Sequence, residues 1–146
     1  MKRHTGGFMT MGTGGAYVQS NKQNMTTKSS TEAELVGVDD VLAQVIYTRY
    51  LLKEQVYMIH NNIIYQDNQS AIKLDNSGRQ SISKRIRQIN IRYYFITDRI
   101  MKQEASIEFC PNLDMIGDYL TKSLHGSQFR RFHNIIIGIH KDDIPA

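Results

Sequence analysis

Alternation of apolar and polar residues predicts that the chain begins with a β-hairpin. The alternation runs over residues 6–12 and, more loosely, over residues 16–23. The turn between them contains Gly14 and Gly15, which can adopt the positive φ that tight hairpin connections use. A phosphate-binding loop is the alternative, but neither a Gly-Lys-Ser/Thr sequence nor a helix follows these glycines. We therefore predict a hairpin over residues 6–24.

A helical spacing of apolar residues follows and extends to about Glu54. Two capping-box registers are available at its start, Ser29 with Glu32 and Thr31 with Glu34. Glu34 lies in line with the stripe that faces the sheet, whereas Glu32 lies roughly 160° away. The stripe consists of Val38, Val41, Val45 and Leu52. Because a carboxylate in an apolar stripe is costly without a cation, Glu34 is either a site residue or a solvated first-turn carboxylate that complements the helix dipole.

An abrupt change from apolar to polar residues marks the middle of the chain, in the sequence IIYQDNQSA at residues 63–71. The apolar part predicts a buried strand, and a short helix is predicted to begin near Ala71. Asp67 would then lie at the carboxyl edge of a sheet, where α/β proteins collect ligands and metals. The alternative is that Asp67 only caps the following helix, and this explains it better when it is considered alone.

Periodicity predicts four further elements. They are a helix over residues 83–103, a strand over residues 105–110, a helix capped by Asn112 with the stripe Leu113, Ile116, Leu120 and Leu124, and an amphipathic segment over residues 129–139. Asp118 lies opposite the apolar stripe of its helix, so the pattern alone makes it a solvated residue. The order of strands and helices predicts one mixed α/β domain.

Three arginines, Arg85, Arg92 and Arg99, recur every seven residues on one face of the helix predicted over residues 83–103. A row of guanidinium groups with nearby tyrosines suits a phosphate backbone. An ordinary solvated face is the common alternative, and a basic amphipathic helix can also lie on an anionic membrane.

Composition narrows the classes of protein without identifying one. A chain of 146 residues with a net charge of +4 suits a single domain with an anionic partner. Cys110 is the only cysteine, so no internal disulfide or zinc cluster is predicted, and a reducing compartment is expected. The longest apolar run is far short of the roughly 20 residues that span a bilayer, and no signal peptide is recognised. We expect an intracellular protein that is not secreted.

Four sequence pieces together carry a resemblance to a known family. They are KSSTEAEL at 28–35, YQDNQSA at 65–71, INIRY at 89–93 and MIGDYLTK at 115–122. In this order they resemble the ribonuclease H domain at the carboxyl end of copia-type retrotransposon Pol polyproteins. The resemblance implies an α/β fold, with a ribonuclease H-like mixed sheet flanked by helices over residues 1–139 and a tail over residues 140–146.

The resemblance also implies a site and a reaction. Matched motif by motif, Glu34, Asp67 and Asp118 become catalytic metal ligands for two Mg²⁺ ions, with Mn²⁺ as an alternative, that hydrolyse the RNA strand of an RNA:DNA hybrid. The order of these carboxylates suits ribonuclease H better than the integrases of the same fold. Six residues are expected to contact the nucleic acid: Asn68, Gln69, Ser70, Arg85, Arg92 and Arg99. The reverse transcriptase of the same polyprotein is an expected partner, in a cytoplasmic particle or the nucleus.

Two departures from the family pattern change the expected activity. Gln88 and Tyr94 stand where the family often has histidines, so no histidine receives a catalytic role. The family's first strand, which is central and carries a further aspartate, is expected before Lys2 and is not found. We therefore expect weak metal binding and little or no turnover. An inactive nucleic-acid-binding remnant is the alternative, and a membrane-surface protein ranks last because core packing accounts for the apolar stripes.

Overall fold

The computed structural model describes residues 3–69 and 84–139, with side chains in the second range from residue 88 onward. The described part has mixed α/β structure, as predicted. Its elements are β1 His4–Met9, β2 Tyr17–Lys22, α1 Ser30–Glu54, β3 Ile63–Gln66, α2 Lys84–Met101, β4 Ser106–Phe109, two 3-10 helices at Asn112–Asp114 and Ile116–Leu120, and α3 Gly126–Ile137. The helix predicted near Ala71 and the tail over residues 140–146 lie outside the described residues. Within residues 3–69 and 84–139, no helix has the length and apolar character needed to cross a bilayer.

The predicted hairpin is confirmed. β1 and β2 pair antiparallel, with His4 opposite Lys22 and Met9 opposite Tyr17. One face of the hairpin packs on α1. The other face packs on the second 3-10 helix, and there Gly6 is required because a Cβ would lie 2.6 Å from the carbonyl oxygen of Gly117. β1 is therefore contacted on both of its faces, whereas most of β2 is exposed.

The cap of α1 selects one of the two predicted registers. Ser29 Oγ accepts a hydrogen bond from the Glu32 N–H at 3.1 Å. The Glu32 carboxylate accepts in turn from the Lys28 N–H at 2.7 Å, which neutralises part of the positive helix end. Glu34 is therefore not the cap partner and is available to the sheet side of the helix.

The main core lies between α1 and α2. Its buried members are Leu35, Val38, Leu42, Ile46, Ile64, Tyr93, Ile96 and Ala105. Ile96 is 0% exposed and Leu42 is 1% exposed, so these two helices are in close apolar contact. Burial of such a cluster supplies most of the favourable free energy of folding in a small domain.

The described strands form two separate sheets, each with two strands. β3 pairs parallel with β4, with Ile63 opposite Ser106 and Gln66 opposite Phe109, and neither strand is paired with the hairpin within the described ranges. Burial alternates along β3, because Ile64 is buried whereas Ile63 and Tyr65 are exposed. The prediction of a buried strand is thus correct for one of its faces.

The helix predicted from Asn112 to Leu124 is wrong. The chain forms two 3-10 helices that are separated by Met115 in extended geometry. The second 3-10 helix is held on the hairpin by close contact with Gly6 and by a 2.7 Å hydrogen bond from Ser20 Oγ to Leu120 O. These contacts outweigh the helical periodicity, and they bury Asp118, which the pattern placed in solvent. The last predicted amphipathic segment is confirmed as α3, whose Phe132 is fully buried.

Candidate functional site

A cavity of about 380 Å³ is lined by β1, β3 and the sheet side of α1. The stripe residues Val38, Val41 and Val45 contribute its apolar wall. The second 3-10 helix and the end of β3 contribute polar groups. The cavity therefore has an apolar part along the strands and a charged part where the predicted carboxylates lie.

The structure brings the three predicted carboxylates to the lining of this one cavity. Glu34 comes from the first turns of α1, Asp67 follows the last residue of β3, and Asp118 lies in the second 3-10 helix. Burial raises the pKa of Glu34 above its ordinary value, and the negative charge of Asp67 raises it further. These two groups, 33 positions apart in the sequence, therefore affect each other electrostatically.

Gln66 orders the end of β3 and was missed by the sequence analysis. Its side chain is buried, and its Oε1 accepts hydrogen bonds from the N–H groups of Asp67 at 2.8 Å and Asn68 at 3.3 Å. The same side chain also acts on Glu34 and opposes the rise in the pKa of that carboxyl. A signal was present, because Gln66 is a polar residue at the same alternation as the buried Ile64.

Lys122 is the second residue that the sequence analysis did not assign to the site. Its Nζ lies 2.8 Å from Asp118 Oδ2. This hydrogen bond is the main cause of a raised pKa of Lys122, and the charges of Asp118, Asp67 and Glu34 add to it. One ammonium group therefore interacts with all three predicted carboxylates. The spacing of four residues from Asp118 was the available signal.

The carboxylates supply oxygen atoms of the kind that bind magnesium, but they are not as close together as the ligands of a magnesium site. Mg²⁺ prefers oxygen ligands in near-octahedral geometry at 2.0–2.1 Å. Within residues 3–69 and 84–139, no three side chains of Asp, Glu, His or Cys are close enough together to hold a metal ion. In this arrangement the residues do not fit the ion, so no reaction step through a metal follows from it. The roles of Glu34, Asp67 and Asp118 as metal ligands and catalytic groups stay predictions.

Arg92 and Arg99 are engaged within the protein. Arg92 pairs with Asp39 and with Asp40 on α1, the latter at 3.0 Å. Arg99 pairs with Glu104 at 2.8 Å and lies over the Phe95 ring. Their contacts with nucleic acid stay predictions.

The structure describes two of the other four predicted nucleic-acid contacts. Asn68 is half-buried next to Asp67, and Gln69 is exposed. Ser70 and the side chain of Arg85 lie outside the described residues. Nothing in the described contacts assigns a ligand to these four residues.

The chain is similar in sequence to a protein of a mobile genetic element. Over 141 residues it is 26% identical to the retrovirus-related Pol polyprotein from transposon TNT 1-94 of Nicotiana tabacum. The similarity covers 97% of this chain and 10% of the relative, so the chain spans about a tenth of that protein's length. No protein-family model matches the chain, and no solved structure matches it. The similarity supports an origin in a retrotransposon Pol polyprotein.

Proposed function

We propose that the chain is the ribonuclease H-type part of a retrotransposon Pol polyprotein. In the complete site, two Mg²⁺ ions, or Mn²⁺, would supply the chemistry that hydrolyses the RNA strand of an RNA:DNA hybrid made by the reverse transcriptase of the same polyprotein. The observation that carries the proposal is the convergence of Glu34, Asp67 and Asp118 on one cavity from three separate elements. As an isolated chain, the protein is expected to show little or no turnover.

The separation of the two sheets supports the proposal that a strand is missing from the complete fold. The Gln23 N–H donates to the Arg3 carbonyl at 2.7 Å, so the antiparallel alternation directs the backbone groups of His4, Gly6 and Phe8 away from β2. Along β3, the carbonyl of Asn62, just before the strand, accepts from the Ser106 N–H of β4, and the carbonyl of Gln66 accepts from the N–H of Cys110, just after β4. The backbone groups of residues 63 and 65 therefore point away from β4.

The directions of the strands are compatible with one added strand between them. Arg3, at the start of β1, and Asp67, after the end of β3, both act on the charge of Glu34. The proposed arrangement has the two strands running in opposite directions along the cavity. A strand that pairs antiparallel with β1 would pair parallel with β3 and would cover the valines of α1. A carboxylate on such a strand would add a ligand to those that the described residues bring to the site.

The test is cleavage of a labelled RNA:DNA hybrid with Mg²⁺ present. The chain alone is compared with a protein lengthened at its amino end by an Asp-bearing strand, and with the same lengthened protein carrying Asp→Asn in that strand. We expect cleavage from the Asp-bearing protein alone, and we expect Asp67→Asn to abolish it. If the lengthened protein cleaves no better than the chain alone, the proposed completion of the site is wrong.

A catalytically inactive nucleic-acid-binding remnant is the second candidate. The observation that favours it is the pairing of Lys122 with Asp118, together with the lack of a metal-ligand group in the described residues. It predicts that the lengthened protein retains the hybrid on a filter without cleaving it. Binding and cleavage measured on the same samples separate the two candidates.

A further inference from the structure

Three aromatic rings come together where α3 packs on the second 3-10 helix. The ring centroids of Tyr119 and Phe129 are 5.1 Å apart, and those of Phe129 and His133 are 6.1 Å apart with 19° between their planes. Tyr119 and His133 complete the group at 6.5 Å. Phe129 is nevertheless 42% exposed. This ring cluster, formed by Tyr119, Phe129 and His133, therefore leaves a large part of one ring open to solvent.

The packing of α3 does not account for the exposure of Phe129. The helix is anchored by Phe132, which is fully buried, and by the Gly15 N–H, which donates to the Ile136 carbonyl at 2.9 Å. A single exposed apolar residue is ordinary on a protein surface. An exposed ring that is held in place by two other rings is a different case, because its position is already fixed before any ligand arrives.

The charge beside the ring cluster is positive. α3 contains Arg130, Arg131 and His133 but neither Asp nor Glu. Arg131 pairs with Asp114 at 2.6 Å, whereas Arg130 is exposed and makes no ion pair within residues 3–69 and 84–139. Positions 130 and 133 are neighbours on the helix surface. The surface therefore combines an exposed ring with an unpaired guanidinium group, which suits a ligand that is both aromatic and anionic.

We propose that the ring cluster and Arg130 form a binding surface for an unpaired segment of nucleic acid, with a base stacked on Phe129 and a phosphate at Arg130. Sites for single strands combine these two features, because every base has a π-face and the backbone is anionic. The proposal rests on the proposed function for its class of ligand and names the form of nucleic acid that this surface binds. Tyr119 directly follows Asp118, so the bound segment would adjoin the charged end of the cavity.

The chain contains a matched control for each of the two contacts. Phe109 on β4 is 48% exposed, and no other ring contacts it among the described residues. Phe109→Leu therefore removes an equally exposed ring outside the ring cluster. Arg131→Met removes the same charge as Arg130→Met, one position along the helix, but from a guanidinium group that already has a carboxylate partner.

The test is binding of fluorescein-labelled oligothymidine, about 12 nucleotides long, to the full chain by fluorescence anisotropy. A DNA duplex of the same length is the comparison, because its bases are already stacked on one another. We expect Phe129→Leu to weaken binding of the single strand on the order of tenfold and to leave binding of the duplex unchanged. Phe109→Leu should bind both as the wild type does.

The salt dependence tests the role of Arg130. Arg130→Met should reduce the slope of log affinity against log salt concentration by about 0.7, the value for one phosphate of a single strand, and Arg131→Met should reduce it by less. The proposal is overturned if the wild type does not bind the single strand. It is also overturned if Phe129→Leu and Phe109→Leu lose affinity equally, or if Phe129→Leu weakens binding of both nucleic acids equally.

A measurement on the unmodified chain covers the case in which a variant does not fold. On titration with unlabelled oligothymidine, the ring-proton NMR signals of Phe129 should move to lower chemical shift, because a stacked base shields them, whereas those of Phe109 should not move. Binding without a shift at Phe129 contradicts stacking there. The hybrid-cleavage test is separate, because failure of a lengthened protein to cleave leaves the affinity of this chain for a single strand unchanged.

Discussion

The two sides of α1 differ in how they satisfy buried groups. On the side of α2, apolar side chains such as Leu42 and Ile96 are fully buried. On the side of the strands, the same helix lines a cavity that contains Glu34. Packing that leaves no space contributes stability, whereas a cavity with charged groups leaves room for a ligand or a further strand. The comparison indicates that stability and the candidate chemistry are carried by neighbouring faces of one helix, which share Val38.

Carboxylates on the two sides also differ in their partners. Burial raises the pKa of Asp39, and this rise is opposed by the charge of Arg92, with which Asp39 makes a direct ion pair. Burial likewise raises the pKa of Glu34, and Asp67 adds repulsion. The opposing charges of Arg3 and Lys122 act from a distance, without a direct ion pair to Glu34 among residues 3–69 and 84–139. On the α2 side the partly buried carboxylate of Asp39 is therefore compensated by a direct ion pair, whereas on the cavity side the carboxylate of Glu34 is not.

The largest expected effect is a loss of stability on the α2 side of α1, from Ile96→Ala. Ile96 is fully buried in the core between α1 and α2, so truncation should cost about 3–4 kcal/mol of unfolding free energy. Urea denaturation measures it. Ile91→Ala, at an exposed position of the same helix, should change stability by about 0.5 kcal/mol or less. Equal effects of the two substitutions would contradict the assignment of the main core to this side.

Arg92→Met should have the next largest effect, because it leaves Asp39 and Asp40 close together without their cation. We expect a loss of about 1–2 kcal/mol in urea denaturation at pH 7. The matched control is Arg131→Met, which breaks an exposed pair with Asp114. A filter-binding assay with an RNA:DNA hybrid sharpens the comparison. If affinity falls severalfold in Arg92→Met while stability is unchanged, Arg92 serves the nucleic acid and not the α1–α2 interface.

A smaller effect of opposite sign is expected at Arg49. Arg49 is buried on α1, and its Nε and Nη1 have no hydrogen-bond partner in the described part of the chain. Unpaired buried donors cost free energy, so Arg49→Met should be neutral or should stabilise the protein by up to about 1 kcal/mol. Thermal unfolding measures the change. A clear loss of stability would mean that Arg49 has a partner in the folded protein.

The smallest effect is the pH dependence expected on the cavity side, from Glu34→Gln. The pKa of Glu34 is raised above its ordinary value of 4.5, first by burial and then by Asp67. The folded state therefore holds this proton more tightly than the unfolded state does, and stability falls as the pH rises from 4.5 through the raised pKa. Glu34→Gln should thus be more stable than the wild type at pH 7 and similar to it below about pH 4.

The measurement is urea denaturation of both proteins across this pH range. Glu32→Gln is the control on the neighbouring turn, since glutamine can also accept the capping hydrogen bond. Lower stability of Glu34→Gln at pH 7 would show that the charge of Glu34 is compensated in the folded protein, and the two sides of α1 would then be electrostatically alike.

Much of the local structure could be predicted from the sequence. The hairpin, the first long helix with its Ser29 cap, the second long helix and β4 are all present near their predicted bounds. These elements depend on contacts between residues a few positions apart, which periodicity and capping residues record directly. Helical periodicity also distinguished Glu34 from Glu32, because it places Glu34 on the same face as the apolar stripe and Glu32 on another face.

The site could be predicted only in part. Asp118 was assigned by resemblance, against its periodicity, and the structure buries it through contacts of its 3-10 helix with the hairpin. Gln66 was missed because Glu34 lies on another element. Lys122 pairs locally with Asp118, but the charges of Asp67 and Glu34 that also act on it come from other elements. The row of three arginines was predicted to face a phosphate backbone or solvent, whereas Arg92 forms an ion pair with Asp39 of α1. Each of these outcomes depends on which faces of the helices and strands pack against one another.

The sequence by itself determined the α-helices, the strands and the candidate caps of α1, since these follow from the order of residues within short segments. The carboxylates were identified through the resemblance, and the 3-10 helices replaced a predicted helix. Tertiary structure alone decided that the described strands form two separate sheets, that Glu34, Asp67 and Asp118 line one cavity, and that the charges of all three carboxylates raise the pKa of Lys122. The physical reason is that Coulomb interactions and burial depend on distance in space, which local periodicity does not specify.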